Sequence, residues 1–148
     1  MIRRYESTGQ CIYCEMIEKE IVHRERLVSN HDRFIVLCPF APRFAYETWI
    51  LPRDHAPAFE QCSEPDAVAL ARTLRDTLAR LNRAVDEPPF NYVIHTSPIK
   101  EPASAHYHWH MEIMPQLSRA AGLEWGSGTH INPVAPEVAA GLLRSAVI

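Results

Sequence analysis

The sequence predicts an α+β domain with a mainly antiparallel sheet, and three features carry that prediction. Short β-rich runs stand on both sides of a single long helical stretch. The early runs are joined by short, hairpin-like links rather than by helical crossovers. The long stretch itself is bracketed by cap and breaker residues at both ends.

Taken in order, CIYCEMIEKEI (11–21) reads as a thiol knuckle leading into a short helix. RLVSN (26–30), RFIVLCPF (33–40) and YETWILP (46–52) are strands, with APRF (41–44) as a turn and Pro52 closing the third. Over 64–87, Val68, Leu70, Leu74, Leu78, Leu81 and Val85 recur mostly at three- and four-residue steps. Ser63 caps this helix, Pro65 suits its first turn and Pro88 follows its end. PFNYVIHTS (89–97) is a strand, SPIKEPASA (97–105) a loop, and HYHWHMEIMP (106–115) the next strand. After a glycine-spaced turn region (122–133), PEVAAGLLRSAV (136–147) forms a C-terminal helix. No repeat, low-complexity tract or linker divides the chain, so residues 1–148 read as one domain.

Composition narrows the function. Apolar residues make up 47% and charged residues 22%, with a net charge of −3, so no basic footprint for nucleic acid or an anionic membrane exists. No apolar run reaches the roughly 20 residues that span a bilayer. The opening MIRRYESTGQ lacks a signal-peptide core, which predicts a cytoplasmic protein with reduced thiols.

The chemistry concentrates in AHYHWHMEIMP. On a regular strand His106, His108 and His110 share one face, roughly 6.5–7 Å apart. That spacing suits two adjacent jobs, one imidazole in a metal site and the next free for chemistry; a plain histidine-rich solvent face is the bland alternative. Cys11-Ile-Tyr-Cys14 offers two thiolates and lacks the βαβ setting of a redox motif. Two more ligands close a tetrahedral zinc site, and His55 in ILPRDH and His106 are the candidates. The expected set is therefore Cys11, Cys14, His55 and His106 on zinc. Cys38 and Cys62 read as packing thiols, His23 and His31 as solvent-facing, and His130 stays undecided.

H-Y-H-W-H-M resembles the His-φ-His-φ-His-φ motif of the histidine-triad superfamily of nucleotidyl transferases and hydrolases. The CxxC knuckle and the ILPRDH strand exit occur in matching order. The segments RLVSNHDRFIVLCPFAPRFAYETWILPRDH, NYVIHTSP, YHWHMEIMP and AGLEWGSGTHINPVAPEVAAGLLR look like the C-terminal half of galactose-1-phosphate uridylyltransferases and their relatives. The resemblance spans roughly Gln10 to Arg144 and implies a histidine-triad-like fold.

It also implies roles. His108 matches the histidine that attacks the α-phosphate of a nucleotide and carries it covalently, and His110 would orient it or contact phosphate. The zinc would be structural and brace the catalytic strand. His95 stands where small histidine-triad hydrolases carry an asparagine, and Cys38-Pro39-Phe40 where they carry a ribose-binding aspartate. Ser104 is not in register with their serine. His95 and Asn91 are the expected substrate contacts, and Lys100 is a weaker phosphate candidate. The implied substrate is a nucleoside diphosphate-sugar or similar nucleotide, and a lone half-molecule implies a homodimer. The alternative is a non-catalytic, zinc-stabilised binding module in which His95, His108 and His110 hold a second metal or ligand. Glu112 shares the histidine face by parity and is placed to orient an imidazole.

Overall fold

The computed structural model describes residues 2–100, 104–119 and 121–146. Among the described residues, five α-helices and five strands follow one another, with a short 3-10 helix (Phe59–Gln61) before α3: α1 (Ile2–Thr8), α2 (Ile12–His23), β1 (Leu27–Asn30), β2 (Phe34–Leu37), β3 (Thr48–Pro52), α3 (Glu64–Val85), β4 (Phe90–His95), β5 (His110–Pro115), α4 (Gly122–Ser127) and α5 (Pro136–Ser145). The strands form one five-stranded antiparallel sheet in the order β1-β2-β3-β5-β4.

Period-two alternation divides the strand residues between two cores. Phe34, Val36, Ile50, Met111 and Ile113 face α3 and α5, joined by Trp109 from the approach to β5. Ile35, Leu37 and Leu51 face the other way and pack with Ile17, Tyr13 and Met16 of α2. His110 and Glu112, alternating with Met111 and Ile113, therefore emerge on the α2 side.

The α3 helix forms where the sequence predicts it. Ser63 accepts a hydrogen bond from the Asp66 amide, Pro65 sits in the first turn, and Asp86 ends the helix in the left-handed region. Its buried face differs in part from the apolar count. Leu70, Thr73, Thr77 and Leu81 are buried while Val68 is exposed. The threonines tolerate burial because their hydroxyls donate to the carbonyls of Ala69 (2.9 Å) and Thr73 (2.7 Å).

In α5, Ala139, Ala140 and Leu143 are buried, the two alanines leaving room for close approach. Arg80 of α3 donates to its last carbonyls, Leu143 at 3.1 Å and Arg144 at 3.0 Å. On the other flank, Arg26 ties Glu20 of α2 to Glu137 of α5. No helix among the described residues is long and apolar enough to cross a membrane.

Three sequence expectations change. A helix, α1, precedes the thiol knuckle, and a short helix, α4, opens the region expected as a turn. The histidine strand begins at His110 rather than at 106, because His106 and His108 lie in a turn and an irregular approach. Strict alternation therefore does not hold over the first two histidines, and they need not share a face.

Candidate metal and histidine site

The approach to β5 runs between the start of α2 and the exit of β3, so residues distant in sequence meet there. Cys11 stands just before α2, Cys14 lies in its first turn, and His55 follows β3. Their donor atoms and that of His108 all lie within 4.8 Å of one another. Cys14 Sγ is 3.4 Å from His55 Nδ1 and 3.5 Å from His108 Nδ1. The two imidazole rings meet edge to face at 5.4 Å.

The fourth donor is thus His108, which corrects the expectation of His106. The imidazole of His106 lies toward Tyr5, with ring centroids 6.3 Å apart, and only its backbone carbonyl approaches Cys11. The cause is the late start of β5, since the turn through His106 points its ring away from the knuckle.

Two thiols and two imidazoles form a donor set suited to a tetrahedral soft-to-borderline cation, zinc above all. Burial and the nearby Cys11 push the Cys14 thiol up to about 12, so without a cation its thiolate is costly. Burial likewise pushes the His108 imidazole down to about 4, against the raising effect of the Pro52 carbonyl. His55 is lowered by the same desolvation. His108 Nε2 lies 3.0 Å from the Pro52 carbonyl, a bond that fixes the ring and leaves Nδ1 toward the thiols. His108 is fully buried, with Nε2 on the Pro52 carbonyl and Nδ1 turned to the thiols, the arrangement of a ligand rather than of a bare imidazole. The expectation that it is the bare, attacking imidazole is corrected with that of His106.

A second group lies one step further along. His95 and His110 are register partners across β4 and β5, their rings stacked at 4.8 Å and 22°. Tyr13 closes on His110 at 4.7 Å and Trp49 at 5.1 Å. His110 Nδ1 meets the His108 carbonyl at 3.1 Å, and its Nε2 lies 3.6 Å from Glu112 Oε1. The other carboxylate oxygen of Glu112 takes His95 Nε2 at 3.3 Å and Arg43 Nη2 at 2.6 Å. Burial pushes the Glu112 carboxyl up, but its contacts with His110, His95 and the Arg43 guanidinium outweigh it and hold it below its ordinary range. His95, His110 and Glu112 also place their donor atoms within 4.8 Å of one another.

His108 therefore stands apart from the His95–His110–Glu112 group. Asn91 lies on the same face as His95 but four residues upstream, roughly 13 Å away along the strand, and is exposed. Lys100 is exposed as well. The sequence reading missed Arg43; a lone arginine in a Pro-Arg-Phe turn gives no sign of which buried carboxylate it will meet.

An antiparallel five-stranded sheet with α2 and the histidines on one face and α3 and α5 on the other defines a histidine-triad-like unit. A zinc-bound histidine-triad protein of Mycobacterium smegmatis shares this fold, with a TM-score of 0.64 at 17% identity over 93% of both chains. The model of the galactose-1-phosphate uridyl transferase C-terminal domain matches residues 2–125, and the chain belongs to that family. It is 40% identical to an ADP-glucose phosphorylase of Arabidopsis thaliana, over 95% of this chain and 39% of that protein. It is 32% identical to a galactose-1-phosphate uridylyltransferase of Thermotoga maritima, over 97% of this chain and 47% of that one. The crystal structure of an A. thaliana ADP-glucose phosphorylase with bound ADP-glucose superposes with a TM-score of 0.87 at 35% identity, over 99% of this chain and 46% of that one. The chain thus spans less than half the length of these relatives.

Proposed function

We propose that the chain is the zinc-braced unit of a nucleotidyltransferase acting on nucleotide sugars, with His110 as the imidazole that carries the nucleotidyl group. The observation that carries this reading is the capture of His108 by the Cys11–Cys14–His55 cluster. If the first position of the working row holds metal, the row becomes His108, His110 and Glu112, and the role expected of His108 moves two residues on. The relatives' names support the substrate class: one is a phosphorylase of the nucleotide sugar ADP-glucose, the other transfers a uridylyl group to or from a sugar phosphate.

Zinc held by Cys11, Cys14, His55 and His108 would supply structural bracing at the start of β5, its four protein donors leaving no position for water. His110 is oriented by its own contacts. Nδ1 donates to the His108 carbonyl, so in the neutral imidazole the lone pair is on Nε2, 3.6 Å from Glu112 and beyond hydrogen-bond length. In the step proposed, Nε2 bonds to the α-phosphorus of the nucleotide sugar and the bond to the sugar phosphate breaks. Glu112 stabilises the cationic imidazole that results. An acceptor phosphate then takes the nucleotidyl group and frees Nε2.

Incubation of the protein with ADP-glucose and with UDP-glucose tests this. A nucleotidyl mass adduct on the peptide holding His110, absent from His110→Asn, is the expected result. An adduct that persists in that variant sinks the assignment.

The second reading is a non-catalytic module, and the His95–His110–Glu112 donor group favours it, because it could hold a second metal. Arg43 weighs against that, since its guanidinium already occupies one oxygen of Glu112. Elemental analysis separates the two: one zinc per chain fits the transferase, and a second metal lost in His95→Ala fits the module.

A homodimer completes the proposal. β4 is an edge strand, with Tyr92 57% and Val93 42% exposed, and pairing with a second copy would cover both. A sedimentation profile of monomer alone would remove it. The four free cysteines fit a reducing compartment such as the cytoplasm.

A further inference from the structure

The Arg43 loop is held more firmly than an ordinary strand connection requires. Inside it, the buried carboxylate of Glu47 accepts the backbone amides of Arg43 (2.7 Å) and Phe44 (3.2 Å) and the Trp49 indole N–H (3.0 Å). From the other side, the Asn132 amide donates to the carbonyls of Phe44 (3.1 Å) and Pro42 (3.4 Å). Tyr46 takes a left-handed φ of 61°, a conformation costly for a bulky side chain and tolerated only where the surroundings enforce it.

What this loop delivers is one guanidinium. Arg43 Nη2 donates to the Glu112 oxygen that His95 also reaches, with Met114 Sδ at 3.6 Å. Nη1 and Nε have no acceptor among the described residues, and the side chain is 46% exposed. Arg43 also borders a cleft of about 170 Å³ that includes Phe44, Leu117, Glu124 and His130. The Glu124 carboxylate there is already engaged by the Ala121 (2.8 Å) and Ile131 (3.2 Å) amides.

We propose that Arg43 is a phosphate-binding residue of the histidine site, anchored on Glu112 through Nη2 and donating from Nη1 and Nε to a phosphate oxygen of the bound nucleotide sugar. The proposal rests on the reading of His95 and His110 as a nucleotide-sugar site. Its physical logic is charge: Glu112 alone would repel a diphosphate, and Arg43 neutralises it while turning cationic donors outward. A planar fork can serve a carboxylate with one nitrogen and a phosphate with the others, which a lysine cannot.

Calorimetric titration of the full chain with ADP-glucose and with inorganic pyrophosphate tests it. Arg43→Gln is expected to weaken both probes roughly 10- to 100-fold, the range for lost charge-assisted hydrogen bonds, with bound metal unchanged. Arg43→Lys should fall between, keeping charge but losing the fork. Wild-type affinity in Arg43→Gln for both probes overturns the proposal and leaves the nucleotidyltransferase reading standing. Pyrophosphate binding that depends on Arg43, without binding of ADP-glucose, overturns the nucleotide-sugar reading and the proposal with it, leaving Arg43 a contact for simple phosphates only. A wild-type chain that binds neither probe overturns both. If Arg43→Gln sheds metal or unfolds, Arg43→Lys decides, and an unchanged affinity there counts against the proposal.

Discussion

Two imidazoles separated by one tryptophan, His108 and His110, have opposite surroundings. His108 is closed in by thiols, a second imidazole and a carbonyl, with every polar atom engaged inside the protein. His110 is fixed at Nδ1 but has at Nε2 a carboxylate shared with a half-exposed arginine. The first environment suits a resident cation that offsets the cost of burying thiolates. The second joins a buried imidazole and carboxylate to His95 and Arg43, whose partial exposure gives an anionic ligand a way in. Adjacency in sequence therefore says little about role; the decisive factor is which neighbouring element each ring meets.

The largest effect expected of any substitution falls on the second environment. His110→Asn should lower nucleotidyl transfer by at least about 10³-fold, on the scale of a removed nucleophile, while zinc content and melting temperature stay near wild type. Equal loss of metal would erase the distinction between the two rings.

The first environment should respond in the opposite way. Cys14→Ser is expected to strip most of the zinc and lower the melting temperature by about 10 °C, corresponding to about 3 kcal/mol or more in a chain of this size. Elemental analysis and a thermal melt check it. His106→Ala should keep both metal and stability. A zinc loss in that variant matching Cys14→Ser would return the fourth ligand to His106.

The Glu112–Arg43 pair should show an intermediate cost. Glu112→Gln leaves a half-exposed Arg43 that water can solvate, and should cost about 1 kcal/mol in denaturant unfolding, with zinc retained.

The smallest effect lies far from both clusters. The hydrogen bond from Arg26 holds the Glu137 carboxyl below its ordinary range, so this contribution is present above the unfolded-state pKa and fades as pH falls through the folded value. Glu137→Gln should cost about 0.5 kcal/mol or less at neutral pH and nothing once the wild-type carboxyl is protonated. Stability curves of the two proteins should therefore converge in acid.

Much of the fold was legible because local rules governed it. Ser63, Pro65 and the three- and four-residue steps delimit α3, and the β-rich runs at 26–52 and 89–97 became strands where expected. Cys11, Cys14 and His55 were readable as candidate donors because the thiol spacing is a local signal and His55 marks a strand exit, and the fold brings the three together. His106 was misplaced because period-two alternation was extended over residues that a turn occupies. Thr73 and Thr77 show the same limit, since their burial depends on hydroxyl bonding to the preceding helical turn and not on apolar periodicity.

The sequence by itself determined the α+β class, the limits of α3, the thiol pair and the histidine spacing, all of which depend on residues close together in the chain. Only the tertiary structure decided which imidazole meets the thiols and that Arg43 meets Glu112, contacts 94 and 69 residues apart. Such pairings are set by sheet order and by where β5 begins, and the physical reason is that a side chain's direction depends on its backbone conformation, which a single turn before the strand is enough to redirect.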